Sequence, residues 1–121
     1  MPGMEQEVNA MSDCIFCKIC DGTIPADIVY EDEHCLAFRD IQPKAPVHLL
    51  VIPRKHVASL DDLSDADREL AGHMLLTIPR IARQQGLEGG YRTVANTGKG
   101  GGQEVFHLHF HILGGGTPKP L

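Results

Sequence analysis

From Phe106 to Ile112 polar and apolar positions alternate without interruption, as Phe-His-Leu-His-Phe-His-Ile, with Leu113 following. Side chains at i, i+2 and i+4 of a β-strand share a face. The pattern therefore predicts a strand with His107, His109 and His111 on one face and Phe106, Leu108, Phe110 and Ile112 turned toward the core. Upstream, Ile28-Val29-Tyr30 and Cys35-Leu36-Ala37-Phe38 are apolar runs separated by the acidic Glu31-Asp32-Glu33, and they predict a hairpin. The run His48-Leu49-Leu50-Val51-Ile52 predicts a buried strand that stops at Pro53, after a loop marked by Pro43 and Pro46. Tyr91-Arg92-Thr93-Val94-Ala95 predicts one more strand.

Helical spacing occurs twice. Ser64-Asp65-Ala66-Asp67 offers an N-cap and an acidic first turn, and Leu70, Met74, Ile78, Ile81 and Ala82 then recur at helical intervals toward Gly86. Pro79 lies inside this pattern and predicts a kink or a local break. A shorter turn is expected over Ile15-Phe16-Cys17-Lys18-Ile19, capped by Asp13 and stopped by Asp21-Gly22. Short links between consecutive strands favour an antiparallel β-meander of about five strands, with one long helix and a short N-terminal helix, an α+β fold. Residues 1–10 read as an N-terminal extension and a candidate for disorder, and residues 11–121 as a single domain.

The chemistry concentrates around the histidine strand. Just before it, Gly98-Lys99-Gly100-Gly101-Gly102-Gln103 is a loop whose bare backbone can approach a ligand closely. Imidazoles beside exposed amides suggest an anion such as phosphate. With 121 residues the chain is large enough for one hydrophobic core. Its net charge of −5 argues against a nucleic-acid polymer as partner, which calls for a basic surface, while a single nucleotide remains open. No leader-like or membrane-spanning run is seen, so a soluble, cytoplasmic protein is expected. Cys14, Cys17 and Cys20 fall at every third position and Cys35 stands apart. Without an export signal, free thiols or metal ligands fit better than disulfides. A zinc site would need two further ligands, for which histidines are available.

At this level of detail the sequence resembles the histidine triad family, and within it the HINT branch. The resemblance rests on His107-Leu108-His109-Phe110-His111-Ile112-Leu113, Ala45-Pro46-Val47-His48, Val51-Ile52-Pro53-Arg54-Lys55-His56, Leu36-Ala37-Phe38-Arg39-Asp40-Ile41 and Gly101-Gly102-Gln103. It spans nearly the whole chain from Cys14 to Gly115. The resemblance implies a homodimer with joined sheets that binds purine nucleoside monophosphates and hydrolyses phosphoramidates. It implies His109 as nucleophile, with His111, His48 and the backbone amides near Gly102 and Gln103 stabilising the phosphate. Asp40 matches a ribose-binding position, and Ile15, Phe16, Ile19, Phe38, Ile41 and Leu50 match a purine slot. Asn96 matches a position near the phosphate loop. It further implies a structural zinc held by Cys14, Cys17, His56 and His107, a closed tetrahedral set of two thiolates and two imidazoles.

The chemistry is reasonable in itself, because an imidazole with a free pKa of about 6.5 keeps an unprotonated nitrogen at neutral pH. The departing amine needs a proton. Many family members carry Ser after the Gln, whereas this chain has Glu104, an expected aid to proton delivery or leaving-group orientation. Other readings stay open on sequence alone: diadenosine polyphosphate hydrolysis or nucleotidyl transfer, a catalytic metal held by His-x-His, or a nucleotide-binding module with little turnover. Cys20 and Cys35 have no assigned role, and His34 and His73 read as surface or packing residues.

Overall fold

The computed structural model describes residues 13–120. The N-terminal extension expected over residues 1–10 lies outside the described residues. The elements run α1 (Ile15–Cys20), β1 (Ile28–Glu31), β2 (Cys35–Arg39), β3 (Val47–Pro53), α2 (Arg68–Gln84), β4 (Arg92–Val94) and β5 (Phe110–Gly114). All five strands form one antiparallel sheet in the order β1-β2-β3-β5-β4. The expected α+β fold is thus present, with its meander broken only where β5 inserts between β3 and β4.

The period of two in each strand divides the sheet into two apolar faces. On one, Leu49, Val51, Leu108, Phe110 and Ile112 pack with Met74, Ile78, Ile81 and Ala82 of α2. On the other, Leu36, Phe38, Leu50 and Ile52 pack with Phe16 and Ile19 of α1. The short helix therefore covers the face that also carries the histidines.

The entry to α2 follows from local chemistry. Ser64 caps a 3₁₀ turn over Asp65–Asp67, with the Asp67 carboxylate returning to the Ser64 amide, and the α-helix begins at Arg68. The kink or local break expected at Pro79 is not a break, since the helix runs continuously from Arg68 to Gln84. A proline withholds its N–H from the carbonyl four residues back, here Leu75, and Leu75 is exposed, so water can take that carbonyl. At the other end of the chain, α1 is capped by Cys14 rather than by the expected Asp13. The Cys14 side chain accepts from the Cys17 amide at 3.4 Å.

The histidine strand begins four residues later than the alternation predicts. The β3–β5 ladder ends at Val51 opposite Phe110. Extending it would place Pro53 across from Leu108, and proline has no N–H to give. The Leu108 amide instead donates to the Val57 carbonyl at 2.6 Å. Leu108 still reaches the α2-side core and His107 and His109 still face α1, but Phe106 is 48% exposed and is not a core residue.

Ile81 is fully buried between α2 and the sheet. Ile81→Ala should cost about 2–5 kcal/mol, the range for emptying a well-packed core position, read as a lower midpoint of denaturant unfolding with an unchanged slope.

Candidate active site

A cleft of about 1500 Å³ opens on the α1 side of the sheet. Among its lining residues are His48, His109 and His111, Asp40, Ile15, Phe16, Ile19, Phe38, Ile41, Leu50, Asn96, Gly102 and Glu104. Most of the residues expected from the sequence are therefore gathered in one place. Register explains the grouping of the histidines. His48 lies opposite Leu113 and Leu50 opposite His111, so His48 and His111 are diagonal neighbours on one face. Their rings meet, with His48 Nε2 2.9 Å from His111 Nδ1.

The tautomers follow from the partners each ring is given. The Lys44 amide donates to His48 Nδ1 at 3.0 Å, so that nitrogen is an acceptor and the proton sits on Nε2. His48 Nε2–H then donates to His111 Nδ1, with the Asp40 carboxylate 3.5 Å away as a second acceptor. His111 consequently carries its own proton on Nε2. His109 Nδ1 lies 2.8 Å from the His107 carbonyl. A carbonyl can only accept, so His109 donates from Nδ1 and keeps a lone pair on Nε2. This is the arrangement a nucleophilic imidazole requires.

Burial keeps the His48 and His111 rings neutral. Desolvation pushes the His48 pKa below its ordinary value against the opposing pull of Asp40. The His111 pKa falls to about 4, chiefly through burial and then through the neighbouring His109 and His48. At neutral pH both are hydrogen-bond donors without a charge.

Behind the triad lies a second cluster. Cys14 Sγ is 3.3 Å from His107 Nδ1, and Cys17 Sγ is 3.4 Å from His56 Nδ1 and 3.6 Å from His107 Nδ1. One ligand atom from each of these four side chains lies within 4.8 Å of every other. His107 donates from Nε2 to the Pro53 carbonyl at 2.8 Å, which leaves Nδ1 as the lone pair turned to the thiols. Burial, then the adjacent Cys14, pushes the Cys17 thiol up to about 12. Two thiols and two imidazoles so placed fit a tetrahedral Zn²⁺, which would favour the thiolates, and the backbone bond to His107 is the orienting contact such a ligand usually has.

Some expected contributions differ. The Gly102 amide donates to the Lys99 carbonyl and the Gln103 amide to the Gly98 carbonyl, so both are committed inside the loop rather than turned to a phosphate. Gln103 is buried, and its side chain binds the Gly98 amide and the Ala58 and Val105 carbonyls, bracing the loop from beneath. Asn96 also braces it, donating to the Gly101 carbonyl at 2.8 Å. Ile41 stands at the rim and is 95% exposed, so it is no packed wall of a slot. Phe16, Ile19, Phe38 and Leu50 form the slot floor and are buried core residues as well. The amide of Lys44 is a site group that the sequence did not reveal, since nothing in a lysine codon foretells what its backbone will hold.

Comparison with known proteins agrees with this geometry. The HIT domain family profile matches residues 21–117. An uncharacterised HIT-like protein of Synechococcus elongatus is 59% identical over 103 residues, covering 85% of this chain and 90% of that protein. The crystal structure of a HIT family hydrolase from Legionella pneumophila superposes with a TM-score of 0.84 at 53% identity, over 87% of this chain and 95% of that one. A histidine triad protein from Clostridium difficile gives a TM-score of 0.86 at 47% identity, over 90% and 96%.

Because the folded His111 pKa lies below the unfolded value of about 6.5, the unfolded chain binds the proton more readily in between. Stability should therefore be complete above about pH 6.5 and decline as pH falls toward about 4. Thermal melts of wild type and His111→Asn across this range should show the shallower decline in the variant.

Proposed function

The chain belongs to the HIT domain family, and from that premise we propose that it is a HINT-like hydrolase of purine nucleoside phosphoramidates, releasing AMP or GMP and an amine. The observation that best supports this is the His109 ring, pinned through Nδ1 by the His107 carbonyl with its Nε2 lone pair left for attack. A hydrolase relative of 53% identity is consistent with the same reading.

In the proposed first step the His109 Nε2 lone pair attacks the α-phosphorus and the P–N bond to the amine breaks, giving nucleotidyl-His109. The amine leaves with the bonding pair and takes up a proton. Water then attacks phosphorus and loses a proton to solvent, and the P–N bond to His109 breaks with its electron pair returning to Nε2. Dividing one difficult substitution in two lowers each barrier. His111, held neutral with its proton on Nε2, donates to a non-bridging oxygen as charge builds there. His48 fixes His111 and does not need to touch the phosphate. Glu104 lines the cleft and assists proton delivery to the amine or orients it. Asp40 accepts from the ribose hydroxyls, for which a carboxylate is suited, while Phe16, Ile19, Phe38 and Leu50 receive the purine.

Zinc, in this proposal, is structural. Cys14, Cys17, His56 and His107 hold it, and it ties α1 to the segment that carries the triad, with no part in bond making.

Adenosine 5′-phosphoramidate is the direct test. AMP release by wild type should persist with a chelator present, and His109→Ala should lower it by at least about a thousandfold. Glu104→Gln should lower kcat by about a hundredfold and remove one limb of its pH profile; an unchanged rate and profile would exclude Glu104 from the reaction. Activity that disappears on chelation while the fold persists would move the chemistry to a metal and defeat the nucleophile assignment.

The zinc proposal has its own readout. Cys17→Ser should bind one equivalent less zinc than wild type and melt at a lower temperature. Equal zinc content in the two proteins would refute the four-residue site.

A further inference from the structure

On the opposite face of the sheet from the cleft, a second group of ligand-bearing side chains converges. Asp32 and Cys35 sit at the β1–β2 turn and His73 on α2, and one ligand atom of each lies within 4.8 Å of the other two. None of the three lines the cleft. We propose that Asp32, Cys35 and His73 form a second transition-metal site, suited to Zn²⁺ or Co²⁺, that joins the hairpin to the long helix.

The contacts at Asp32 already gather donors around one carboxylate oxygen. Its Oδ1 accepts from the His34 and Cys35 amides at 2.7 and 2.9 Å, a normal turn arrangement. Its Oδ2 faces three side-chain donors, the Tyr30 hydroxyl at 2.7 Å, His73 Nε2 at 2.7 Å and the Cys35 thiol at 3.8 Å. A carboxylate oxygen offers two lone pairs in its plane, so the thiol, which also has Thr77 beside it, is the most distant of the three donors. Cys35 is fully buried beside an anion, and burial followed by the Asp32 charge pushes its thiol up to about 12.

A divalent ion would resolve this crowding. Cys35 gives up one proton and binds as thiolate, Asp32 binds as carboxylate through Oδ2, and His73 stays neutral, its ring proton moving from Nε2 to Nδ1. Two negative ligands and one neutral ligand cancel the charge of the ion. Metal–ligand bonds of about 2.0–2.3 Å in tetrahedral geometry hold ligand atoms roughly 3.3–3.8 Å apart. The Cys35 to Asp32 distance already fits. The His73 to Asp32 distance has to open, and the His73 side chain, 34% exposed on the outer part of α2, has room to do so. The fourth position falls to water or to His34, which is exposed and whose ring lies 5.1 Å from that of His73, centroid to centroid. Thiolate with imidazole selects zinc-like ions over Mg²⁺ or Ca²⁺.

The experiment uses the full chain carrying Cys14→Ser and Cys17→Ser, so that the zinc cluster behind the triad is disabled. Titrated with Co²⁺ after metal removal, it should bind one equivalent, release one proton and develop a thiolate-to-cobalt charge-transfer band. Adding Cys35→Ser should abolish the band, and adding His73→Gln should weaken binding by at least tenfold. The glutamine can still donate to Asp32, so the fold is retained, which circular dichroism verifies. Should the double variant not fold, wild type serves: it should bind two equivalents of zinc and its His73→Gln variant one under limiting free metal. No cobalt–thiolate band in the folded double variant, a band that survives Cys35→Ser, or wild-type zinc content unchanged by His73→Gln overturns the proposal.

Discussion

An imidazole removed from water must find partners for two nitrogens of opposite kind, one that donates and one that accepts. His48, His107 and His109 are all buried in this protein, and each meets that demand with a backbone group. The Lys44 amide, the Pro53 carbonyl and the His107 carbonyl fix one nitrogen of each ring. Which nitrogen remains for chemistry is thereby settled by the main chain. A carbonyl on Nδ1 of His109 frees Nε2, and a carbonyl on Nε2 of His107 frees Nδ1. Neighbouring histidines two residues apart are thus made into different reagents, one facing the cleft and one facing the thiols, without any difference in side chain.

The same backbone groups exist because of how the sheet is built. β3 carries His48 on one face and Leu49 and Val51 on the other, and its ladder to β5 fails after Val51, two residues before β3 itself ends at Pro53. Residues 106–109 lie outside that ladder, and the His107 carbonyl is taken by the His109 ring. A regular strand through residues 106–109 would have committed that backbone to cross-strand pairing. The departure from regular structure is therefore what gives His109 its orienting acceptor.

Much of this was legible in the sequence, and the reasons are specific. The apolar run after His48 and the alternation around His111 marked two of the strands, and the alternation also gave the common facing of His107, His109 and His111, because a period of two tolerates little ambiguity once one face is buried. The helix of residues 68–84 was visible in Met74, Ile78, Ile81 and Ala82, although its continuity through Pro79 depended on an exposed carbonyl one turn earlier. What could not be read were events between distant segments: Leu108 turning to Val57, Gln103 serving as a brace beneath its loop, and Ile41 standing in solvent. The Gly98–Gln103 loop was recognisable as a close-approach element, but which of its amides remain free is decided by the turn it folds into. Asp32 with His73 likewise required the hairpin and the helix to be docked before the pair existed.

The thiol cap of α1 has a consequence that reaches across the molecule. Cys14 accepts the Cys17 amide that starts the helix, and that helix delivers Phe16 and Ile19 to the floor of the cleft. A change at the Cys14 sulfur that loosened this first turn would therefore loosen the floor of the cleft as well. Any such effect would run both ways, since linkage between two sites is reciprocal. A six-residue helix has less than two turns, so its cap carries a larger share of its order than a cap does in a long helix.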